Sequence, residues 1–560
     1  MSNFILTMLD TSGIQPYIFG SNRLQENIGA SELVYRATTL WAFEALAKAN
    51  FKHNVLKPAL LDWDLDPNRA IEHDATLDAE VVYAGGGNTF IIFRNLDQAK
   101  LFAQVLTRKI LEEAAGLTVV AQHLSIEWNN PDHRLDMKRK ELLRKLGAHK
   151  QARLPSMPLL GLGVTAACES TGLVAVQTNE KLKLRKEEET RLISREIACK
   201  LRWRNKANER LLHYLEPLPS GTHFEFPYEI DKLGRIEGEE SYVAVIHADG
   251  NGMGGHIDRI GERVAKEVDA TDVAKFNREY VKQIRSFSQE VNKAGLAALG
   301  AVVAELDKAI KWSKDKKKYL VSDKVPLEDN LYLPIRPLVF GGDDVTFLCN
   351  AQLGLALATV YLKAFEYETK KEERNLRAMH ACAGIAMVKM HYPFARAYAL
   401  SEQLAGNAKK FVREEAKEDC SALDWHFALS GLSGSLGAIR KREYERSNGD
   451  KLYLRPVRLY KKDDTDQHGR YWIDGIERVI HEFQNDEKWE KRRNKVKGLR
   501  EHLRLGPLEV EKYCFEYALP ALPELIAGEK HGWAGDRCVY FDAIELMDHH
   551  VPLKAVEETT

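Results

Sequence analysis

Cysteine is scarce in this sequence, and long apolar runs are absent. The seven cysteines are scattered over 560 residues without a Cys-x-x-Cys pair, which argues against a zinc cluster and fits a reducing compartment. No run of about 18 apolar residues is present, so no membrane span is expected. The start, Met1 to Leu6, lacks the basic and long apolar segments of a signal peptide. We therefore expect a cytoplasmic protein without membrane contact.

An excess of charge of one sign is also missing. The formal net charge is −1, with 29% charged and 44% hydrophobic residues. This balance excludes a polybasic nucleic-acid coat, although local basic patches remain possible. A chain of this length is too long for one core, so three or four domains are expected.

One short stretch stands out, the sequence Gly341-Gly342-Asp343-Asp344. Short β-rich runs flank it on both sides, which predicts a hairpin with a Gly-rich tip. Two adjacent carboxylates repel each other unless a cation lies between them. Their hard oxygen ligands suit Mg²⁺ or Mn²⁺, as in the metal hairpin of a nucleotidyl-transferase palm. The alternative is a solvated acidic turn.

The order of predicted elements appears twice. A strand ending at Asp10 is followed by a helix, a hairpin with the tip Gly85-Gly86-Gly87-Asn88, a helix and a strand. A strand ending at Asp249 opens the same series around Gly341-Gly342-Asp343-Asp344. Strand, helix, hairpin, helix, strand is the order of a ferredoxin-like palm, so the chain contains an internal duplication. Only the second tip carries carboxylates.

These patterns predict an α+β fold with two ferredoxin-like palm domains, a helical connector and a C-terminal helical domain. The predicted domains are a degenerate first palm (1–128), the connector (129–238), a second palm with the Gly-Gly-Asp-Asp site (239–465) and the helical domain (466–560).

In a palm, the carboxylate that ends the first strand lies beside the hairpin tip. Asp249 is therefore expected to approach Asp343 and Asp344, and three carboxylates can hold two divalent cations. A flexible turn over 250–255, with Gly250, Asn251 and Gly252, is expected to offer backbone amides to phosphates. Lys409 or Lys410, near the end of a later helix, could reach a phosphate or could simply cap that helix.

Several spaced motifs resemble a known family. Asp10-Thr11-Ser12-Gly13-Ile14-Gln15, Gly29-Ala30-Ser31 and Gly85-Gly86-Gly87-Asn88 resemble the first palm of the large polymerase-like subunit of type III CRISPR effector complexes. Asp249-Gly250-Asn251-Gly252 with Gly341-Gly342-Asp343-Asp344, then Pro393-Phe394 and Ala408-Lys409-Lys410, resemble its second palm. The resemblance covers nearly the whole chain and is closest to the III-B branch.

The resemblance implies an activity, a substrate and partners. The family joins ATP into cyclic oligoadenylate second messengers in antiviral defence, switched on by RNA within a complex of partner subunits. Asp249, Asp343 and Asp344 would be the catalytic metal ligands for two Mg²⁺ or Mn²⁺ ions. The first palm would hold the second nucleotide near Ser12 and the tip Gly85, Gly86, Gly87 and Asn88.

The sequence departs from the family in three places. Asn251 stands where many members have a further acidic residue. The N-terminal His-Asp nuclease domain of the family is not expected here, because the first palm begins at the start of the sequence. The zinc-binding cysteines of the family are also missing, and Cys168 is interpreted as a vestige of that site within the connector.

Two other functions stay open. The protein could be a non-catalytic scaffold that binds nucleotide or senses RNA, as Asn251 suggests, or a GTP-using enzyme of the diguanylate-cyclase type. Among the basic runs, the segment from Lys138 to Arg153 is the best candidate for an RNA or partner contact. The runs 314–318 and 488–497 are interpreted as solvated faces, and Asp548-His549-His550 as surface residues.

Overall fold

The computed structural model describes most of the chain: residues 3–153, 161–186, 188–215, 218, 221, 223–235, 241–374, 376–428, 434–461, 471–526 and 529–553. The predicted domain boundaries at 238/239 and 465/466 lie outside these residues.

The N-terminal region is built around a four-stranded antiparallel sheet. Its elements are β1 (Asn3–Ser12), α1 (Ile14–Phe19), α2 (Leu24–Thr38), α3 (Leu40–Lys48), β2 (Val55–Leu56), β3 (Asp64–Leu65), β4 (Ala79–Gly85), β5 (Asn88–Phe93), α4 (Leu96–Glu113) and β6 (Thr118–Glu127). The strand order is β4-β5-β1-β6, while β2 and β3 pair separately. The sequence pattern predicts one helix from Leu24 to Ala49, but the structure divides it, because Thr39 leaves the helical conformation at φ −129° and ψ −95°.

The segment between the two large sheets contains two long helices. Its elements are α5 (Leu135–Ala152), β7 (Gln177–Thr178), β8 (Leu192–Ile193) and α6 (Arg195–Leu215). Helix α5 packs against β6 and β1 of the first sheet, and α6 packs along α2. Cys168 lies in this segment, between α5 and β7, and its side chain is buried. No second cysteine or histidine joins it in a metal-binding group within the described ranges.

The second large sheet has six strands. The elements are β9 (Tyr242–Gly250), α7 (Met253–Glu267), α8 (Val273–Lys308), β10 (Ile310–Ser313), β11 (Lys318–Val321), β12 (Val325–Pro326), β13 (Ile335–Val339), β14 (Asp344–Asn350), α9 (Gly354–Lys370), β15 (Ala381–Lys389), α10 (Phe394–Phe411), β16 (Ala422–Ala428), α11 (Leu436–Glu443) and β17 (Val457–Arg458). The order is β13-β14-β9-β15-β16-β17. Strand β16, parallel to β15, is not expected from the sequence pattern.

The C-terminal region is mostly helical. It contains α12 (Ile473–Asn485), α13 (Arg493–Leu505), α14 (Pro507–Glu516), β18 (Trp533–Ala534), β19 (Arg537–Cys538) and α15 (Phe541–Leu546). The surface interpretation of His550 is wrong, because its side chain is buried and lies 3.1 Å from Glu477. Among the helices that the structure describes, none is both long and apolar enough to cross a membrane.

The two sheets share one topology. The order β4-β5-β1-β6 repeats as β13-β14-β9-β15, and α4 and α5 correspond in position along the chain to α9 and α10. The predicted α+β class with two ferredoxin-like palms is confirmed. The repetition follows from the sequence because the same succession of strand, helix and Gly-rich hairpin is encoded twice.

Apolar residues cover both faces of each central strand. Along β1, Ile5 and Leu9 face a core that also contains Val243 and Val245 of β9. The alternate residues of β1 face a separate core under α5, α7 and α8: Phe4, Leu6 and Met8. Because successive side chains of a strand point to opposite faces, one face of each palm sheet contributes to a common core between the palms.

Candidate functional site

Helix α8 holds the tip of the second hairpin in place. Gly341 and Gly342 have φ of +122° and +78°, which glycine adopts without strain. The backbone N–H of Gly342 donates to Asn292 Oδ1 at 3.0 Å. On the same helix, a Cβ atom at Gly295 would lie 2.0 Å from the Gly342 carbonyl oxygen. The hairpin tip can therefore approach α8 only because residue 295 is glycine.

The three predicted carboxylates come together at one end of neighbouring strands. Asp344 is directly opposite Asp249 in the β14–β9 pairing. The backbone N–H of Gly250 donates to the carbonyl oxygen of Asp343 at 3.2 Å, and a Cβ atom at Gly250 would lie 2.8 Å from Asp343 Cβ. The side chains of Asp249 and Asp344 are 38% and 46% exposed. Both carboxylates are thus accessible to a ligand.

Crowding of negative charge dominates the electrostatics at this tip. Burial, followed by the charges of Asp249 and Asp344, raises the pKa of Asp343 to about 7, and Lys409 only partly opposes this. His247 Nδ1 lies 3.3 Å from Asp344 Oδ1. Burial acts to lower the pKa of His247, but the hydrogen bond and charge of Asp344 raise it overall. The tip therefore gains from any added positive charge.

Only one of the two candidate lysines reaches the site. Lys409 Nζ, on α10, lies 2.5 Å from Asp249 Oδ2 and donates to the carbonyl oxygen of Gly250 at 3.0 Å. Lys410 points elsewhere: its side chain is 64% exposed and lies 3.7 Å from Glu414. The structure therefore places Lys409, and not Lys410, beside the carboxylates.

The turn after β9 is shorter than predicted. The sequence suggests a flexible turn over 250–255, but α7 begins at Met253, directly after Gly252 at φ 65° and ψ 32°. Asn251 donates its backbone N–H to the His380 carbonyl at 2.8 Å and its Nδ2 to the Cys420 carbonyl at 3.1 Å. Its Oδ1 is buried without a hydrogen-bond partner among the described residues. The free amides at the start of α7 provide a positive helix end beside Asp249.

The first palm repeats this arrangement without the carboxylate pair. Asn88 is opposite Asp10 in the β5–β1 pairing, in the place that Asp344 has opposite Asp249. Lys150 Nζ, on α5, lies 2.6 Å from Asp10 Oδ2 and 3.1 Å from the Thr11 carbonyl oxygen. These contacts match those of Lys409 almost distance for distance. The two lysines are therefore equivalent under the internal duplication.

Polar atoms of the first palm are left without partners at this place. The side-chain oxygens of Thr11, Ser12 and Asn88 are buried and accept or donate no hydrogen bond within the described ranges. The tip glycines Gly85, Gly86 and Gly87 all have positive φ, and Thr11 N–H donates to the Gly87 carbonyl at 2.9 Å. Buried polar groups without partners are costly, so this cradle fits a polar ligand.

The first turn of α1 brings the first palm to the second. Gln15 Nε2 donates to Glu402 Oε1 on α10 at 2.8 Å. Phe19 stacks on Tyr398 of α10 with ring centroids 4.0 Å apart, and Tyr398 packs edge-on to His247 at 5.5 Å. The carboxylate site is thus bordered by the first palm.

The donor chemistry of the site fits a divalent cation, although no ready-made cluster is present. No group of three or more His, Cys, Asp or Glu side chains is arranged around a common metal position in the part of the chain described. Lys409 occupies Asp249 Oδ2, while the buried Asp344 Oδ1 lies 3.3 Å from His247 Nδ1. Asp343 and Asp344 supply hard oxygen donors of the kind that Mg²⁺ and Mn²⁺ prefer, and the side chain next to Asp344 is His247. Asp249 can bind the same cation as Asp343 and Asp344 only if its Oδ2 also contacts Lys409 or if the hydrogen bond to Lys409 breaks.

Sequence reasoning missed four residues of this arrangement: Lys150, His247, Asn292 and Gly295. It named Asp10 as a strand end but gave it no contact with a lysine. The roles of Lys150 and Asp10 could have been predicted from the sequence, because an alignment of the two palms places these residues at the positions of Lys409 and Asp249. His247 could also have been predicted, because it lies two residues before Asp249 and therefore on the same face of β9. Asn292 and Gly295 could not, because their role depends on how a 36-residue helix crosses the hairpin.

Comparison with known proteins assigns the class. Residues 242–418 match the family model described as Cas10/Cmr2, second palm domain. Among solved structures, the chain is similar to a chain of the Csm1–Csm4 cassette in complex with pppApA (TM-score 0.52, 12% identity) and of the same cassette in complex with cA4 (TM-score 0.52, 13% identity). These alignments cover 98% of this chain and 69% and 70% of those chains. A comparison with curated proteins finds no match.

The second palm is therefore a domain of the Cas10/Cmr2 type, and the chain as a whole has a double-palm fold. The second palm carries the family match, and the solved structures share the fold over nearly the whole chain. Assignment to the III-B branch stays a prediction.

The raised pKa of Asp343 predicts a pH-dependent stability in the absence of divalent cations. A folded-state pKa of about 7, above the unfolded value of about 3.9, favours folding at low pH and loses that contribution as the pH rises through 7. In EDTA, Asp343→Asn should raise Tm above wild type at pH 8 by about 2 °C or more and much less at pH 5. Thermal melts over pH 5–8 measure this.

A control and a cation titration accompany this melt series. Asp74 has a pKa lowered to about 2 by hydrogen bonds from Thr76 and Arg69, so Asp74→Asn should show a constant Tm difference over pH 5–8. Adding Mg²⁺ at pH 8 should stabilise wild type more than Asp343→Asn. A Tm difference for Asp343→Asn that does not change with pH would contradict the electrostatic account.

Proposed function

We propose that this protein is a metal-dependent nucleotidyltransferase that joins ATP into oligoadenylate products, including cyclic ones. One observation carries the proposal: Asp249 and Asp344 are paired in register, with Asp343 beside them and Lys409 against Asp249. A solvated acidic turn would need none of the three contacts seen here: the close approach of the tip to Gly295 of α8, the hydrogen bond from Gly342 to Asn292, and the ion pair between Lys409 and Asp249. In the cell, we place it in antiviral defence as a type III CRISPR-like subunit.

The chain's own residues would position the triphosphate. Asp249, Asp343 and Asp344 would hold two Mg²⁺ or Mn²⁺ ions, which, when bound, lower the pKa of an attacking ribose hydroxyl and stabilise the pyrophosphate that leaves. Lys409 would turn from Asp249 to a phosphate oxygen once cations neutralise that carboxylate. Amides at the start of α7 and of the turn Gly250 to Gly252 would face the remaining phosphate charge.

The nucleotide identity rests on the relatives. The similar Csm1–Csm4 cassettes are described in complex with pppApA, pppApApA and cA4. The first two names denote linear adenylates that still carry a triphosphate, as intermediates of stepwise ATP joining would. Because identity to these chains is only 12–13%, the step from them to ATP as the substrate of this chain is part of the proposal.

A non-catalytic scaffold is the second candidate. Lys409 neutralises Asp249, and Asn251 supplies no further carboxylate. A scaffold would bind ATP without turnover and would act through RNA or partner subunits. Incubation with ATP or GTP and Mg²⁺ or Mn²⁺, with and without RNA and partner subunits, separates the candidates by mass spectrometry. Adenylate products support the transferase, bound but unchanged ATP supports the scaffold, and guanylate products support a cyclase of the GTP-using type.

The duplication predicts that Lys150 binds the triphosphate of a second nucleotide in the first palm. Lys150 has the contacts that Lys409 has, and the unpartnered oxygens of Thr11, Ser12 and Asn88 surround the same end of β1. Lys150→Ala should therefore reduce the number of bound ATP analogues from two to one. Isothermal titration calorimetry with a non-hydrolysable analogue measures this stoichiometry.

A lysine on the same helix provides the matched control. Lys145 is 45% exposed and pairs with Glu141, so Lys145→Ala should still bind two nucleotides. If Lys150→Ala still binds two nucleotides with unchanged affinity, Lys150 does not bind the triphosphate. That result would hold even if the second palm is catalytic.

A further inference from the structure

The basic segment that looked most available for RNA is used inside the molecule. On α5, five cations contact carboxylates of the same chain: Lys138 and Lys145 with Glu141, Arg139 and Lys140 with Asp258, and Lys150 with Asp10. Asp258 lies on α7, so α5 joins the two palms. Five of the seven Lys and Arg side chains between residues 138 and 153 are therefore engaged within the fold, on three carboxylates.

Two other basic runs, far apart in the sequence, meet at one cleft. The run 314–318 belongs to the β10–β11 hairpin, and the run 488–497 leads into α13. Together with Lys324, they line two adjoining cavities of about 380 and 440 Å³ between the second palm and the C-terminal helices. The cavities share Gln352, Arg493 and Asp548. We call this feature the basic cleft.

Positive charge dominates the basic cleft. Its lining contains six cationic side chains and two carboxylates, Asp323 and Asp548; the cations are Arg235, Lys316, Lys324, Lys491, Arg493 and Lys497. Asp548 is already bridged by Lys497 at 2.7 Å and by Arg493. Lys316 and Lys324 are exposed and form no ion pair with a described residue. The lining thus holds four more cations than carboxylates, in a chain of net charge −1. Two of these cations have carboxylate partners next to the cleft: Arg235 lies 2.8 Å from Asp231, and Lys491 lies 3.9 Å from Glu490.

Aromatic rings lie beside these cations. Tyr242 and His549 both line the first cavity, and their ring centroids are 6.0 Å apart at an interplanar angle of 76°. Cations that track phosphates, combined with ring faces against which bases pack, are the two features that single-stranded nucleic-acid grooves share. An acidic peptide needs only the cations. Each cavity has the volume of a small-ligand pocket, and their continuity suits a strand longer than one nucleotide.

We propose that the basic cleft binds the phosphodiester backbone of single-stranded nucleic acid, at a place separate from the carboxylate site. The cleft lies at the ends of β9 and β14 that are remote from the carboxylates: Tyr242 begins β9 and Asn350 ends β14, whereas Asp249 and Asp344 lie near the other ends of these strands. Binding there requires neither ATP nor divalent cations. The two proposals are therefore independent. If the cleft does not bind nucleic acid, the proposed catalytic function is unaffected, and if the protein does not turn over ATP, the cleft can still bind nucleic acid.

A triple variant tests the cleft. Fluorescence anisotropy with a labelled 20-nucleotide single-stranded RNA, without ATP or Mg²⁺, compares wild type with Lys316→Gln/Lys324→Gln/Lys491→Gln. Affinity should fall at least about tenfold, and the slope of log affinity against log salt should decrease by roughly 2, since each lost phosphate contact removes about 0.7. Lys491 is 88% exposed, so unchanged folding is expected and is checked by a thermal melt.

The matched control removes three exposed lysines outside the cleft. Lys206, Lys282 and Lys512 are 53%, 54% and 71% exposed, and the variant Lys206→Gln/Lys282→Gln/Lys512→Gln carries the same net charge. It should lose less than about threefold in affinity. Equal losses in both variants would overturn the proposal. Displacement of the RNA by AMP or by polyglutamate at equal charge concentration would also overturn it, because the cleft would then recognise a mononucleotide or any polyanion.

Discussion

Replacing Asp343 and Asp344 together by asparagine is expected to reduce ATP turnover at least about a thousandfold. The two side chains carry the negative charge that attracts divalent cations to the hairpin tip, and asparagine keeps their size while removing that charge. Folding should survive, because burial together with the neighbouring carboxylates already disfavours the ionised form of Asp343. Pyrophosphate release from ATP under activating conditions measures the loss.

A second pair of carboxylates in the same palm provides the control. Glu372 and Glu373 are adjacent and exposed, so Glu372→Gln/Glu373→Gln removes the same charge from the same domain. Turnover should stay within about twofold of wild type, as expected for surface substitutions away from a site. Wild-type turnover in the Asp343→Asn/Asp344→Asn variant would place catalysis elsewhere in the molecule.

Gly295→Ala is expected to lower turnover by about 10- to 100-fold without removing any chemical group. Its Cβ would lie 2.0 Å from the Gly342 carbonyl oxygen, so either the hairpin tip or α8 must move by more than 1 Å. A displacement of that size at reacting groups can cost about a hundredfold. Steady-state kinetics should show the loss mainly in kcat, because the nucleotide contacts of the first palm are unchanged.

The same helix supplies the comparison for this substitution. A Cβ at Gly300 would find its nearest neighbour, Leu215 Cδ2, at 4.0 Å, so Gly300→Ala is accommodated and gains about 1 kcal/mol of helix propensity. Its turnover should equal that of wild type. Full activity in Gly295→Ala would show that the position of the tip against α8 does not matter for the reaction.

The fold could be predicted because its pattern is local and is written twice. Each palm has a β-rich strand, a Gly-rich hairpin tip and amphipathic helices at similar spacing, and repetition made each assignment support the other. The boundaries of individual helices were harder to predict from the sequence. The helix predicted from Leu24 to Ala49 divides at Thr39. Helix α7 begins at Met253, inside a segment whose four glycines indicated a flexible turn.

The candidate site was predictable in its carboxylates but not in its supports. Asp249, Asp343 and Asp344 follow from strand ends and a turn, which are sequence-local features. The choice of Lys409 over Lys410 depends on the rotation of α10 about its axis, and Asn292 and Gly295 depend on how α8 crosses the hairpin. These relations join residues at least 47 positions apart, and no single sequence pattern encodes them.

The basic runs show the same limit in another form. Composition favoured the segment from Lys138 to Arg153 for an external contact, yet its cations pair with carboxylates of both palms. The runs 314–318 and 488–497, interpreted as solvated faces, line one cleft together with Lys324. Charge in a sequence thus does not show which cations the fold itself neutralises.

The central claim is that the carboxylates of the second palm transfer adenylate from ATP, and the most direct test counts the products. Wild-type protein, alone and with RNA and partner subunits, is incubated with ATP and Mg²⁺ or Mn²⁺, and pyrophosphate and adenylate products are quantified together by mass spectrometry. The account predicts one pyrophosphate for every phosphodiester bond formed. Recovery of intact ATP under every condition, or its conversion to ADP and phosphate without adenylate products, would contradict it.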